Sequence, residues 1–445
     1  MFDLLIRSGR LVTAAGETPG ELGIQGGRIA AILPPGAEAD AREVVDATGL
    51  KLLPGLVDAH VHLREPGLTQ KEDFLSGSHA AALGGVTTLL DMPTDDPWTE
   101  TPEQLAAKMA LAAGRLHVDV GFQAVLSRTG CDLAGLLDLG PVSLELFTAD
   151  VPEAYLFESI AEVAQMLGRI TGSAAGREMA VGVSPGDQSI LRAAPAGRDI
   201  AAFLASRPPL AEASGVARAV LAAAQSGAKV HVRQTNSRLG IETFRGLRSL
   251  ADVTLETTPQ NFFFTAADYE TTGAGLKGSP PFRGAEDVAA LRQALSDGLI
   301  DVIATDHAPH LPAEKAAPAP SFAEIPGGMA GLQTLLPVML RLVAERVLTL
   351  SDLVRVCCEN PARRFGLGHR KGVIAPGYDA DLILLDPAQE TAISHGAQVS
   401  RAGWTPFDGW RVPGRIAAVY LRGGRIVDQG RLVLSQHGQV VRRAS

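Results

Sequence analysis

The chain has 445 residues, 46% hydrophobic and 20% charged, which suits one large globular domain with a smaller accessory one. A formal net charge of −9 without any long basic run speaks against a nucleic-acid or anionic-membrane partner. Three cysteines (Cys131, Cys357, Cys358), no secretory h-region and no uninterrupted apolar stretch of about 18 residues point to a reducing cytoplasm and to no membrane span.

Residues 1–53 read as short strands separated by glycine turns ("DLLIRSGRLVTAAG", "ELGIQGGRIAAILPPG"), and residues 372–445 repeat that texture ("GVIAPGYDADLILLDP", "RIAAVYLRGGRIVDQG"). Neither end holds enough apolar residues for a core of its own, so the expectation is one small composite β-sandwich built from both termini.

Between them, over 54–371, short apolar runs alternate with alanine- and leucine-rich helical segments. The runs are "GLVDAHVHL", "GVTTLLDMP", "VDVGFQAVL", "VSLELFTAD", "EMAVGVSPG", "KVHVRQTNS", "VTLETTPQN" and "LIDVIATDHAPH". Strands buried on both faces read as continuous Val/Ile/Leu runs, and eight strand–helix alternations predict an α/β fold, a (β/α)₈ TIM-type barrel. An open doubly wound sheet is the competing arrangement, but no glycine-rich phosphate turn follows the first run.

A barrel places its chemistry at the C-terminal ends of the strands. Read in order, those ends carry His60/His62, Asp91, Gln123, Glu145, Ser184, Gln234, the 257–260 stretch and Asp306/His307. His60 and His62 are two apart, so on a strand they share a face and can pinch one ion. Together with Glu145 and Asp306 they make a nitrogen-and-oxygen ligand set that suits one divalent metal ion, zinc being the first choice. A water in the open position would have its pKa lowered from 15.7 to about 7 and act as hydroxide, with Asp306 as general base and acid.

Arg64, two residues beyond His62, is a candidate guanidinium for a substrate carboxylate. His310 is a candidate substrate or supporting contact, whereas His307 should point away from the site. His79, His117, His369, His395 and His437 read as structural or surface residues. Each assignment has a plainer rival: an isolated HxH is often incidental, Glu145 could serve as an ion-pair partner, and Arg64 could simply solvate a loop.

The segments "PGLVDAHVHLREPG", "GGVTTLLDMP", "LKGSPPFR", "ATDHAPH" and "NPARRFGL…KGVIAPGYDADLILLD" resemble the dihydroorotase/allantoinase/hydantoinase branch of the amidohydrolase superfamily, and "HLREPG" is closest to dihydroorotase. The resemblance spans the whole chain. It implies a barrel beside a small β-sandwich, one or two metal ions and hydrolysis of a cyclic amide C–N bond. The Arg64 position would then grip a substrate carboxylate.

The departures from that pattern are informative. Glu145 stands where the branch usually has a carboxylated lysine, and Ser184 and Gln234 stand where it has the two histidines private to a second metal. Thr94 and Ser279 replace substrate-binding asparagines, and a hydroxyl is shorter and less directional than an amide. The losses fall on the second metal alone, which predicts a single-metal enzyme. The expected partners are a small cyclic amide bearing a carboxylate and, in a homo-oligomer, further copies of the chain. Two alternatives stay open: a non-catalytic homologue with a structural or regulatory role, and a hydantoinase- or allantoinase-type enzyme for a different ring.

Overall fold

A computed structural model describes residues 1–195, 197–316 and 321–444. Eight parallel strands follow one another in sequence order: Leu56–Val61, Val86–Asp91, Asp119–Val125, Ser143–Phe147, Ala180–Ser184, Lys229–Val232, Val253–Thr257 and Val302–Ile303. Each of the eight apolar runs became one of them. Their side chains are buried on both faces, which is why the runs lack the alternation of a half-exposed strand.

Helices lie between successive strands, and their ends are written locally. Asp73 accepts from the Ser76 N–H to start Phe74–Leu83, and Thr101 with Gln104 forms a capping box ahead of Pro102–Ala112. In Ile160–Thr171 the buried residues Val163, Met166, Leu167 and Ile170 recur at helical spacing and face the barrel. The helix Pro209–Ser226 ends at Gly227, whose φ of 68° a side chain would disfavour.

The barrel closes between its first and eighth strands. The short eighth strand offers few backbone bonds, and Asp58 adds side-chain ones: Oδ1 accepts from Thr305 N at 3.0 Å and Oδ2 from Thr305 Oγ1 at 2.6 Å. Just beyond, His62 N donates to His307 O at 2.8 Å. This seam draws the end of the first strand against the end of the eighth, 247 residues apart in the chain.

Both termini do build one composite β-domain. Its hydrogen bonds join it into a single nine-stranded mixed sheet, the C-terminal strand Leu382–Ala392 pairing antiparallel with Lys51–Pro54. Leu4, Ile6, Leu22, Ile24, Leu52, Leu382, Leu384 and Tyr420 contribute to its own apolar cluster. The chain then returns to the barrel, where Val440–Val441 pairs in parallel with the third strand. The three cysteines are free, and among the described residues no helix is long and apolar enough to cross a membrane.

Sheet and barrel are joined by buried charge. Lys371 Nζ lies 2.5 Å from Asp119, 2.9 Å from Asp379 and 2.6 Å from Asp381, and Arg422 also pairs with Asp119. The three carboxylates converge closely enough to hold a metal, but the ammonium already bridges them. Burial opposes the charge on Lys371, and the three carboxylates outweigh it and raise its pKa. Removing one partner of such a set strands the others without solvent. Lys371→Met is expected to lower stability by about 3–5 kcal/mol, measured as a reduced denaturation midpoint in urea.

Candidate active site

His60 is the penultimate residue of the first strand and His62 follows its end, so both imidazoles point inward at the C-terminal rim. Asp306 follows the eighth strand and meets them across the seam. His60 Nε2 lies 3.3 Å and His62 Nε2 3.2 Å from the same oxygen, Asp306 Oδ1. The other carboxylate oxygen, Oδ2, accepts from Gln234 Nε2 at 2.5 Å. Asp306, Gln234 and Arg64 all have left-handed backbones, with φ of 47°, 49° and 61°. Non-glycine residues rarely adopt that conformation, and strain of this kind gathers at functional sites.

The outer nitrogens of both histidines are anchored. His60 Nδ1 donates to Glu256 Oε1 at 2.8 Å, because a carboxylate can only accept. That assignment leaves a lone pair on His60 Nε2, facing the lone pairs of Asp306 Oδ1. His62 Nδ1 is 2.8 Å from the Thr94 hydroxyl, which can accept its proton in the same way. Lone pairs gathered at this distance repel unless a proton or a cation lies among them. Burial depresses the His60 imidazolium, yet the Asp306 and Glu256 carboxylates outweigh it and raise its pKa. His62 is pushed down to about 4, mainly by burial. Two imidazole nitrogens and one carboxylate oxygen, each held by an outer partner, are a donor set that fits a divalent ion such as zinc.

Glu145 does not join this group. Both oxygens of its carboxylate are held by a residue that carried no assignment in the sequence: Arg233 Nε and Nη2 donate to Glu145 Oε2 and Oε1, both at 2.7 Å. Ser143 Oγ donates to Oε1 as well, at 2.6 Å. The expected fourth ligand is therefore an ion-pair partner, the plainer of the two roles open to it in the sequence. Arg233 also reaches Glu256 Oε2 through Nη1 at 3.0 Å. His231, fully buried, donates to the same Glu256 oxygen at 3.0 Å.

The remaining predicted residues divide into those that line the cavity and those that stand behind it. A cavity of about 280 Å³ opens over His60, His62 and Asp306 and is bordered by Arg64, Gln234, Ser184 and Ser279. Arg64 Nε is buried without a hydrogen-bond partner among the described residues. Arg207 and Arg283, on the same wall, are committed to Asp150 and Glu212. Arg64 is thus the guanidinium with donor capacity to spare.

Thr94 stands behind His62 instead of facing the cavity. His310 stands behind Arg64, its Nε2 donating to Gly327 O at 3.0 Å and its Nδ1 accepting from Lys71 Nζ at 3.2 Å. Burial, with Arg64 and Lys71 beside it, drives the His310 pKa to about 3 and keeps the ring neutral. His307 points away from the site, to Glu72 Oε2 at 3.2 Å, as its strand position requires.

Arg233 and Glu256 had a signal in the sequence that went unused. A charged residue inside or at the end of a doubly buried strand has to find a countercharge. "SLELF" and "VTLET" each contain one acid, and "KVHVR" ends on Arg233.

Comparison with known proteins agrees with this fold. The amidohydrolase family model matches residues 52–427. The chain is 33% identical to a dihydroorotase of Methanosarcina mazei, covering 92% of this chain and 91% of that one. It is 35% identical to an allantoinase of Streptomyces avermitilis, covering 96% of each. Its fold superposes on the L-hydantoinase (dihydropyrimidinase) of Arthrobacter aurescens with a TM-score of 0.94, at 32% identity and 100% coverage of both chains. The chain belongs to the amidohydrolase family, in the branch that includes dihydroorotases, allantoinases and hydantoinases.

Proposed function

We propose that the protein hydrolyses the C–N bond of a small cyclic amide that carries an anionic substituent, using one divalent ion, zinc by preference, held by His60, His62 and Asp306. The observation that carries this reading is the convergence of both Nε2 atoms on Asp306 Oδ1 beneath a cavity bordered by the uncommitted Arg64. A non-catalytic homologue would have no use for three anchored donors and an open cavity above them. An ion at this position supplies Lewis acidity toward a ring carbonyl and toward water.

The protein's own groups account for the remaining chemistry. Arg64 offers charge-assisted hydrogen bonds to a substrate carboxylate and so orients the ring over the histidines. Asp306 is placed to take a proton at a carboxylate oxygen from the attacking water and to pass it to the departing nitrogen. Gln234 holds Oδ2 at 2.5 Å and keeps the carboxylate from rotating between those two duties. Burial opposes the charge on Asp306, and His60 and His62 beside it outweigh that and lower its pKa.

A second reading has its own support. Met92, Phe147, Val151 and Leu191 line the cavity too, an apolar wall that suits a ring with an apolar arm, as in a hydantoinase-type substrate. Turnover of dihydroorotate, allantoin and hydantoins with and without an apolar substituent separates the two.

Asp306→Asn is expected to lower kcat/KM by about 10²–10⁴ on whichever substrate is turned over. Arg64→Met should raise KM for an anionic ring by roughly 10- to 100-fold, the value of a charged hydrogen bond, and change that of an uncharged ring far less. Equal effects on both rings would remove Arg64 from substrate recognition. Removing metal with a chelator should lower the thermal midpoint; against metal at 100-fold its Kd, the loss is about 2.7 kcal/mol.

A further inference from the structure

Beneath the three converging donors lies a second polar layer in the barrel interior, and Arg233 is its centre. All five of its N–H groups are used. Nε donates to Glu145 Oε2 at 2.7 Å, and Nη2 to Glu145 Oε1 and Gln123 Oε1, both at 2.7 Å. Nη1 donates to Glu256 Oε2 at 3.0 Å and to Ala59 O at 3.2 Å. The guanidinium has no solvent exposure, and its carbon lies 5.5 Å from the centre of the Phe365 ring. It ties together groups from the first, third, fourth and seventh strands.

The fit extends to the neighbouring strand. Gly182 pairs in register with Glu145, and a Cβ there would come within 2.1 Å of Glu145 Oε2. Only glycine leaves room for the carboxylate to lie against Arg233. On the opposite side, the Glu256 carboxylate is shared between Arg233 at one oxygen and His60 Nδ1 at the other. An unbroken chain of hydrogen bonds therefore runs from Arg233 through Glu256 to the imidazole that offers its Nε2 to the site.

We infer that Arg233 is a positioning residue that limits the centre to one ion: it withdraws the Glu145 carboxylate from the donor group and, through Glu256, holds the His60 tautomer and ring orientation. A carboxylate gripped at both oxygens by a guanidinium fork, with Ser143 Oγ on Oε1 as well, is turned toward that cation and held away from the three converging donors. A ligating histidine whose outer N–H is fixed by a carboxylate is a better donor than an unanchored one. The inference rests on the proposed function only in taking His60, His62 and Asp306 as the ion's ligands.

The test is a titration of the metal-free full-length protein with Co²⁺, followed by its visible absorption, which reports stoichiometry, affinity and ligand geometry without any turnover. Wild type is expected to take one equivalent. Glu145→Gln should also take one equivalent, with Kd within about threefold of wild type. Glu256→Gln and Arg233→Met should each weaken Co²⁺ binding by about 10- to 100-fold and alter the spectrum. For Arg233→Ala, millimolar methylguanidinium should restore the wild-type spectrum. If Arg233→Met does not fold, as circular dichroism would report, Glu145→Gln and Glu256→Gln carry the same decision.

A tenfold or larger loss of affinity in Glu145→Gln would make Glu145 a ligand and overturn the inference. Unchanged affinity and spectrum in folded Arg233→Met, or in Glu256→Gln, would overturn it too. Wild type binding no Co²⁺ would instead remove the metal reading on which the inference stands.

Discussion

Glu145 and Glu256 are both buried in the barrel interior, where a carboxylate needs a hydrogen-bonding countercharge. Arg233 is that countercharge. Burial works against its charge, and the two glutamates outweigh it and raise its pKa. The same carboxylates hold it in place, so the three groups form one rigid unit spanning the strands that the site is built on. With Asp306 just above, the set carries three negative charges and one positive. The divalent ion proposed for the two histidines would bring that local balance to zero.

The site is layered. His60, His62 and Asp306 present donors to the cavity; Glu256 stands behind His60 and Thr94 behind His62, while Gln234 holds Asp306 from the cavity wall. Arg64 differs: the His310 ring behind it is tied to Gly327 O and Lys71, not to the guanidinium. The unpaired Arg64 Nε differs in kind from the committed guanidinium groups of Arg207 and Arg283. An orphaned buried donor costs about 1–3 kcal/mol.

The legible part of the site follows from geometry that one dimension can carry. The two-residue period of a strand puts His60 and His62 on one face, and the closure of eight strands brings Asp306 beside them. Glu145 was legible as a rim carboxylate but not in its role, because a metal and a guanidinium ask for the same residue type at the same strand end. Thr94 and His310, expected from the sequence to touch substrate, are found against His62 and against Gly327 and Lys71. Arg233 and Glu256 lay in plain view as charges in apolar strands. Their partnership depends on which strands face each other across the barrel, and strand order alone does not display that.

What the sequence determined by itself is the framework: eight doubly buried strands, two β-rich ends that need each other for a core, and a pair of imidazoles at a strand terminus. Short-range periodicity and burial suffice for these, since each is a property of a few consecutive residues. What only the tertiary structure decided is which carboxylate goes to which cation. Asp306 went to the histidines and Glu145 to Arg233. Pairing of buried charges is settled by distances of about 3 Å across the barrel interior, between residues as much as 246 positions apart in the chain (His60 and Asp306).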